Sequence, residues 1–219
     1  MYKSLDFNPL ADLVPVALIG ESQAALVVHP SLPVKNVAEL VAYVKARPDQ
    51  LNFASTGAGG VSHLGGEMFK SINGLKITHV PYKGTAPATT DLVGGQVQIM
   101  FNDAATGFIK ADKLRALAVT GTRRQPQLPE VPTLVEAGVP GYETYAWFGI
   151  FVPAGTPAPI VARLNRELVQ ISTDPAFQKW AQSQQAEAIG SSPEEAVAYI
   201  KRDLAKWTRV VKDVGIQPE

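Results

Sequence analysis

Hydrophobic positions in the middle of the chain follow two alternating periods. Short apolar runs of strand length alternate with segments in which apolar residues recur every three or four positions. The strand-like runs are 51–55, 76–80, 97–101 and 114–120. The helix-like segments are 62–72 and 86–93, and a short one follows Asp103. Strands separated by helices are typical of βαβ units, so we predict an α/β fold with a largely parallel sheet.

The C-terminal third has fewer strand signals and two amphipathic helices. Residues 125–142 are rich in Pro and Gly and are predicted to form a connecting loop with one helical turn, and 145–152 a strand. Helices are predicted over 157–172 and 193–214. Thr156 and Ser192 each precede a proline, which predicts a capping hydroxyl at each helix start.

Three consecutive loops carry the strongest candidate chemistry. They are 55–62, 82–87 and 102–105, and each passes small, hydroxyl or amide residues from a strand into a helix. Ligands of open α/β sheets bind at the carboxyl ends of the strands. Helix N-termini carry unpaired N–H groups and attract anions. These loops therefore predict a pocket for a small carboxylate or phosphate compound, with ordinary capped turns as the alternative.

Other sites receive little support. The glycine-rich loop lacks the Gly-Lys-Ser/Thr of a Walker motif and ends in Ser62 where a dinucleotide fingerprint needs Gly. Residues 20–24 resemble a nucleophile elbow but end in Ala24 and lead into a strand, so we expect a turn between strands and no hydrolase. No acid/base pair stands out by its spacing, which favours binding over catalysis and predicts no enzyme.

The three histidines do not form a metal-binding pattern. His29, His63 and His79 have none of the spacings of a metal pair, so no metal and no cofactor are predicted. His63 lies in the first turn of the helix after the glycine-rich loop. It is predicted either to donate to an anion or to make a polar surface contact.

Composition excludes several classes of function. The chain has 219 residues, with 20 Lys and Arg balanced by 20 Asp and Glu. Zero net charge disfavours a nucleic-acid binder with a basic surface and a polybasic membrane-surface protein. With 0 cysteines, disulfides, thiolate catalysis and Cys-ligated zinc are excluded. No stretch of 18 apolar residues exists, and residues 1–9 show no signal peptide.

Several segments resemble one family throughout the chain. The matching segments are 79–88, 91–97, 113–120, 128–133, 136–141, 147–149, 153–157 and 208–216. Together they are similar to the Bug family, the extracytoplasmic solute-binding proteins of tripartite tricarboxylate transporters. The similarity is collinear over essentially the whole chain.

The resemblance implies a type II periplasmic-binding-protein-like fold. Two α/β domains would be joined by a hinge and bind a small carboxylate-containing solute between two lobes, for delivery to the membrane subunits of the transporter. Domain 1 would comprise 1–29 and 146–219, and domain 2, with the anion-binding loops, 30–145. The family also implies a periplasmic location.

The resemblance also implies ligand-binding residues in each loop. Asn102 and Asp103 stand where the family usually has Asp then Asn, which predicts that position 102 meets an uncharged or anionic group. The implied residues are Ser55, Thr56, Gly57, Ser62 and His63 of the first loop, Lys83, Gly84, Thr85 and Ala86 of the second, and Asn102 and Asp103 of the third.

The start of the chain matches an internal stretch of the family. The resemblance therefore predicts an incomplete first domain with exposed apolar faces. The alternative is that the chain is a truncated or vestigial binding protein without a transport role, which could form a strand-exchanged homodimer. An effector domain of a transcription regulator, another alternative, is disfavoured by the neutral charge and the lack of a helix-turn-helix segment.

Overall fold

The computed structural model describes residues 5–216, which form two compact units. Unit 1 contains 5–22 and 146–209 with Ile216, and unit 2 contains 23–145 with 210–215. The predicted boundary between residues 29 and 30 therefore lies earlier, after Ser22. Residues 1–4 and 217–219 lie outside the described residues. The first four belong to the segment 1–9, for which no signal peptide was predicted.

Eight helices and eight strands are present in the described part of the chain. Up to the third helix they are α1 (Pro9–Asp12), β1 (Leu13–Ser22), β2 (Ala25–Val28), α2 (Val37–Lys45), β3 (Asn52–Ser55) and α3 (Val61–Asn73). The middle elements are β4 (Thr78–Pro81), α4 (Thr85–Val93), β5 (Ile99–Asn102), α5 (Thr106–Lys110) and β6 (Arg115–Val119). The last are β7 (Ala146–Pro153), α6 (Ala158–Thr173), α7 (Pro175–Ser183), β8 (Glu187–Ala188) and α8 (Pro193–Val214). None of these helices is long and apolar enough to cross a membrane.

Unit 2 is built on a five-stranded sheet in the order β4-β3-β5-β2-β6. Strand β3 is parallel to both β4 and β5, whereas β2 is antiparallel to both β5 and β6. The sheet is therefore largely parallel, as predicted, with β2 as its antiparallel member. Because β2 hydrogen-bonds to β5 and β6, it belongs to unit 2, and this moves the boundary to Ser22.

Apolar clusters cover both faces of this sheet. Alternate residues of β2 face opposite sides, and all four are buried. Leu26 lies in a cluster with Leu40 of α2 and Phe69 of α3. Val27 lies in the other cluster, with Leu92 of α4. Burial on both faces explains why 24–28 is a continuous apolar run instead of an alternating one.

Unit 1 contains a three-stranded antiparallel sheet in the order β7-β1-β8. Asn165 of α6 donates from Nδ2 to the carbonyls of Val16 and Ser191, both at 2.8 Å. Two large aromatic side chains of this unit are exposed: Phe148 of β7 is 49% exposed and Trp180 of α7 is 57% exposed.

Two local predictions need correction. Gly20 to Ser22 lie within β1 and pair with β7, so the predicted turn over 20–24 is reduced to Gln23 and Ala24, which connect β1 to β2. The expectation that this segment is not a nucleophile elbow agrees with the strand. Thr156 does not cap α6, because the cap position is Pro157 and no described side chain caps it. Ser192 does cap α8: its Oγ accepts from the Glu195 amide at 3.1 Å, and the Glu195 carboxylate accepts from the Ser192 amide at 2.8 Å.

Candidate functional site

The carboxyl ends of β4, β3 and β5 lie side by side at one edge of the unit 2 sheet. Ser55, the last residue of β3, is paired in register with Pro81, the last residue of β4. The segments that follow are named here the glycine loop (55–62), the second loop (82–87) and the third loop (102–105). Parallel pairing thus brings together segments that are far apart in sequence, as the strand pattern predicts.

The glycine loop folds back onto the first turn of α3. Ser62 Oγ accepts from the Thr56 amide at 3.0 Å and lies 3.0 Å from Thr56 Oγ1. Gly57 and Gly59 have φ values of +146° and +75°, which side chains rarely tolerate. These contacts give the loop a defined path from β3 into α3.

The second loop is hydrogen-bonded to the glycine loop. The Tyr82 amide donates to the Ser55 carbonyl at 3.0 Å, and the Gly84 amide donates to the Thr56 carbonyl at 3.1 Å. Tyr82 also donates its hydroxyl to Asp91 of α4 at 2.7 Å. Burial and this bond raise the pKa of Tyr82 to about 12, so the hydroxyl remains a donor at neutral pH.

Two helices begin at these joined loops. Helix α3 starts after Gly60 and α4 after Gly84, and no described side chain caps either start. The first amides of a helix have no partner within the helix, and they carry a partial positive charge. Gly84 has a φ of +111°, which makes a side chain unfavourable at the start of α4. Of the other predicted site residues here, Thr85 is partly buried, whereas Lys83 and Ala86 are exposed.

The third loop differs from the other two. Asn102 is 1% exposed, donates from Nδ2 to Thr89 Oγ1 and accepts at Oδ1 from the Ala104 amide, both at 2.8 Å. The helix that follows, α5, has only five residues and does not begin until Thr106. The third loop thus leads from β5 into a short helix after Asp103, as predicted, but its first side chain, that of Asn102, is buried. Asn102 fixes a turn and reaches into α4, while Asp103 is exposed.

Two histidines lie beneath the glycine loop. His63 is 7% exposed, so the predicted surface contact is wrong; its Nδ1 accepts from the Gly59 amide at 3.0 Å. Its ring stacks on His79 with centroids 3.8 Å apart. His79 Nε2 lies 2.6 Å from Ser55 Oγ. Burial, and then the charges of His63 and Lys70, lower the pKa of His79 to about 4.

The sequence pattern predicted no role for His79 or Thr89. His79 lies on β4 beside β3, and the pairing of Phe53 with His79 could have indicated its contact with the glycine loop. Thr89 lies inside the predicted helix 86–93, and no local pattern there indicates a contact with the third loop. Across residues 5–216, no three His, Asp or Glu side chains come together as possible metal ligands.

The sequence matches the family model described as "Tripartite tricarboxylate transporter family receptor" over residues 1–216. The chain belongs to this receptor family. Among curated proteins it is 33% identical to BugT of Bordetella pertussis over 97% of the chain. The family is one of receptors, in agreement with the prediction that the site binds and does not convert its ligand.

Solved structures of similar proteins share the fold of this receptor-family chain. Rpa4515 of R. palustris with adipate has a TM-score of 0.90 and 37% identity, covering 100% of this chain and 74% of that one. MatC from Rhodopseudomonas palustris with bound malate has a TM-score of 0.84 and 32% identity, covering 96% and 73%. The chain spans 66% of the length of BugT and 63% of a second curated relative, from Pseudomonas sp..

Proposed function

We propose that this receptor-family chain binds a small carboxylate-bearing solute at the edge formed by the glycine loop and the second loop. The observation that carries the proposal is the pair of helix starts, α3 and α4, whose loops are joined by two main-chain hydrogen bonds and which no described side chain caps. The adipate and malate named with two related structures are both dicarboxylates, which supports this ligand class.

Most hydrogen bonds to the ligand would come from main-chain amides. Amides in the first turns of α3 and α4 would donate to carboxylate oxygens, each helix adding about 0.3–1 kcal/mol through its dipole. Lys83, exposed in the second loop, would add a positive charge beside Thr85. A chain with zero net charge could in this way attract an anion locally. The nine predicted site residues of the glycine loop and the second loop are proposed on these grounds, while Asn102 and Asp103 of the third loop stay predictions.

The proposed physiological role is delivery of the solute to a tripartite tricarboxylate-type transporter. The family description as a transporter receptor supports this role, and the membrane subunits of such a transporter would be the partners. The relative BugD is described as a periplasmic binding protein, which supports a periplasmic location.

Isothermal titration calorimetry tests the ligand class. Adipate and malate are titrated against the chain, with hexane-1,6-diol as a neutral molecule of the same length as adipate. We expect saturable binding of at least one dicarboxylate and none of the diol, because only a carboxylate gains from unpaired amides. Equal binding of the diol, or no binding of any dicarboxylate across a wider panel, would contradict the proposal.

A glycine variant tests the location. Gly84→Ala places a side chain at a φ of +111° at the start of α4 and should weaken dicarboxylate binding by about tenfold or more. Gly138→Ala is the matched control, because its φ is +90° and its surroundings are equally open. Equal loss of affinity in both variants would place the effect in general stability and not in this site.

A further inference from the structure

Three aromatic rings form a stack under the glycine loop. Phe53 of β3 lies 4.8 Å from His79 of β4, with 27° between the ring planes. His79 lies 3.8 Å from His63 of α3, with 11° between the planes. The two imidazoles thus face each other almost in parallel, at a separation where two positive charges would repel strongly.

Each imidazole holds a different point of the glycine loop. His63 Nδ1 accepts from the Gly59 amide at 3.0 Å. His79 Nε2 lies 2.6 Å from Ser55 Oγ, which in turn lies 3.1 Å from the Gly57 carbonyl and accepts from the Gly57 amide at 3.3 Å. The loop is therefore fixed near its beginning by one ring and near its middle by the other.

The protonation state of His63 decides whether its contact with the loop can exist. The His79 contact survives protonation, because Ser55 Oγ donates to the Gly57 carbonyl and so accepts from His79 Nε2. A protonated imidazole donates from both nitrogens, so a charged His63 cannot accept from the Gly59 amide. The charged groups facing the stack come from α3, where Lys70 lies 5.4 Å above the Phe53 ring and pairs with Glu67 at 2.7 Å. Strand β3 contributes the uncharged Phe53 and Ser55. The lowered pKa of His79, about 4, agrees with a neutral ring at pH 7.

We propose that His63, supported by the stacked ring of His79, is a positioning residue that holds the glycine loop in its ligand-accepting form only while its own ring is uncharged, so that acid loosens the loop and releases the solute. The inference rests on the proposed function of this edge. The affinity for the solute is therefore expected to fall as the pH falls. A charged His63 that donated directly to an anion would have the opposite effect.

The first test follows adipate affinity from pH 7.5 to pH 5.5 in three proteins. In His63→Asn, Oδ1 can accept from the Gly59 amide, but the side chain does not titrate. Protonation of adipate itself affects all three proteins equally, so comparison between the proteins removes that effect. Relative to this variant, wild type should lose about tenfold in affinity over the interval. His29→Asn, which removes a histidine hydrogen-bonded to Ser31 outside the loops, is the control and should keep the wild-type profile. An unchanged or rising relative affinity of wild type in acid would overturn the proposal.

A second measurement needs no ligand. Amide hydrogen exchange at Gly59, expressed as a protection factor, should fall in acid in wild type and stay constant in His63→Asn, because only wild type loses its acceptor. If no adipate binds at any pH but Gly59 protection falls in acid only in wild type, the proposed function fails, whereas the pH-dependent contact between His63 and the glycine loop stands. If adipate binds with a flat relative profile and Gly59 protection is constant, the function stands and this inference fails.

The variants need a check on folding, because His63 is buried. Far-UV circular dichroism of His63→Asn at pH 7.5 should match wild type. If that variant unfolds, His63→Gln replaces it: the amide oxygen can accept from the Gly59 amide and the side chain does not titrate. This variant too should lose less adipate affinity than wild type between pH 7.5 and 5.5, and an equal loss would count against the proposal.

Discussion

Polar side chains of the site loops direct their hydrogen bonds at the protein's own main chain. Ser62 Oγ accepts from the Thr56 amide, and Asn102 Oδ1 accepts from the Ala104 amide. Such bonds shape a loop by competing with regular secondary structure. The proposed ligand contacts therefore fall to backbone amides, while the side chains determine where those amides lie.

Replacing Ser62 tests this division of roles. Ser62→Ala removes an acceptor from the Thr56 amide and should lower the free energy of unfolding by about 1 kcal/mol, with weaker dicarboxylate binding as a second effect. Ser71→Ala, at an exposed position of the same helix, should change stability by less than about 0.5 kcal/mol. Urea unfolding and calorimetry measure both. Equal effects at the two positions would mean that the Ser62 contact has no special role.

The sequence indicated these residues but not their orientation. Ser55, Ser62 and Asn102 could be recognised as loop residues of the strand ends, because strand and loop patterns are local. That Asn102 would bond to Thr89 could not be predicted, because it depends on how closely α4 packs against β5.

At the scale of elements, α3 approaches the sheet through a pair of glycines. A Cβ at Gly66 would lie 2.3 Å from the Phe53 ring, and one at Gly65 would lie 2.9 Å from the Tyr142 hydroxyl. Tyr142 donates to the Gly65 carbonyl at 3.0 Å. Two glycines lower the helix propensity of α3, and this close packing is the physical reason for them.

Gly66→Ala should destabilise the chain through overpacking. The new methyl group must displace Phe53, which is 1% exposed and stacks on His79, so we expect a loss of about 1–3 kcal/mol. Gly107→Ala in α5 meets nothing within 4 Å and should be neutral or slightly stabilising. Urea midpoints compare the two. A Gly66→Ala protein as stable as wild type would contradict the close approach.

The sequence pattern predicted some of the helices and missed others. Helices α3, α4, α6 and α8 agree with the predicted segments to within one residue at each end. Helices α2 and α7 were not predicted, although each has a local signal. Asn36 accepts from the Glu39 amide at 2.8 Å at the start of α2, and Asp174 accepts from the Ala176 amide at 2.8 Å at the start of α7. Such capping patterns are short and recur outside helices, so they decide less than a long periodic segment.

At the scale of the whole molecule, stability is expected to depend on pH through a buried neutral group. Burial lowers the pKa of His79 from 6.5 to about 4 in the folded chain. Between these two values the unfolded chain binds a proton that the folded chain does not bind. The contribution of His79 therefore costs no folding stability above pH 6.5 and lowers stability progressively as the pH falls toward 4.

Replacing His79 should remove this part of the pH dependence. After allowance for the partial exposure of the ring, the wild-type chain should lose about 1–2 kcal/mol more than His79→Gln between pH 7 and pH 4. Urea unfolding followed by circular dichroism at several pH values measures the difference. Parallel profiles for the two proteins would show that His79 carries no charge-dependent cost of folding.

The amino-acid pattern was sufficient to predict the α/β class, the largely parallel sheet and the positions of the glycine loop and the second loop, because local periods and turn residues encode these features. The family was recognised from the resemblance of whole segments, spread along the chain, to its known members. Packing between elements alone determines that Asn102 is buried against Thr89, that α3 approaches Phe53 closely at Gly66, and that His63 and His79 stack. The histidines meet because β4 pairs with β3 beneath α3, and such contacts depend on register and packing between elements that no local pattern specifies.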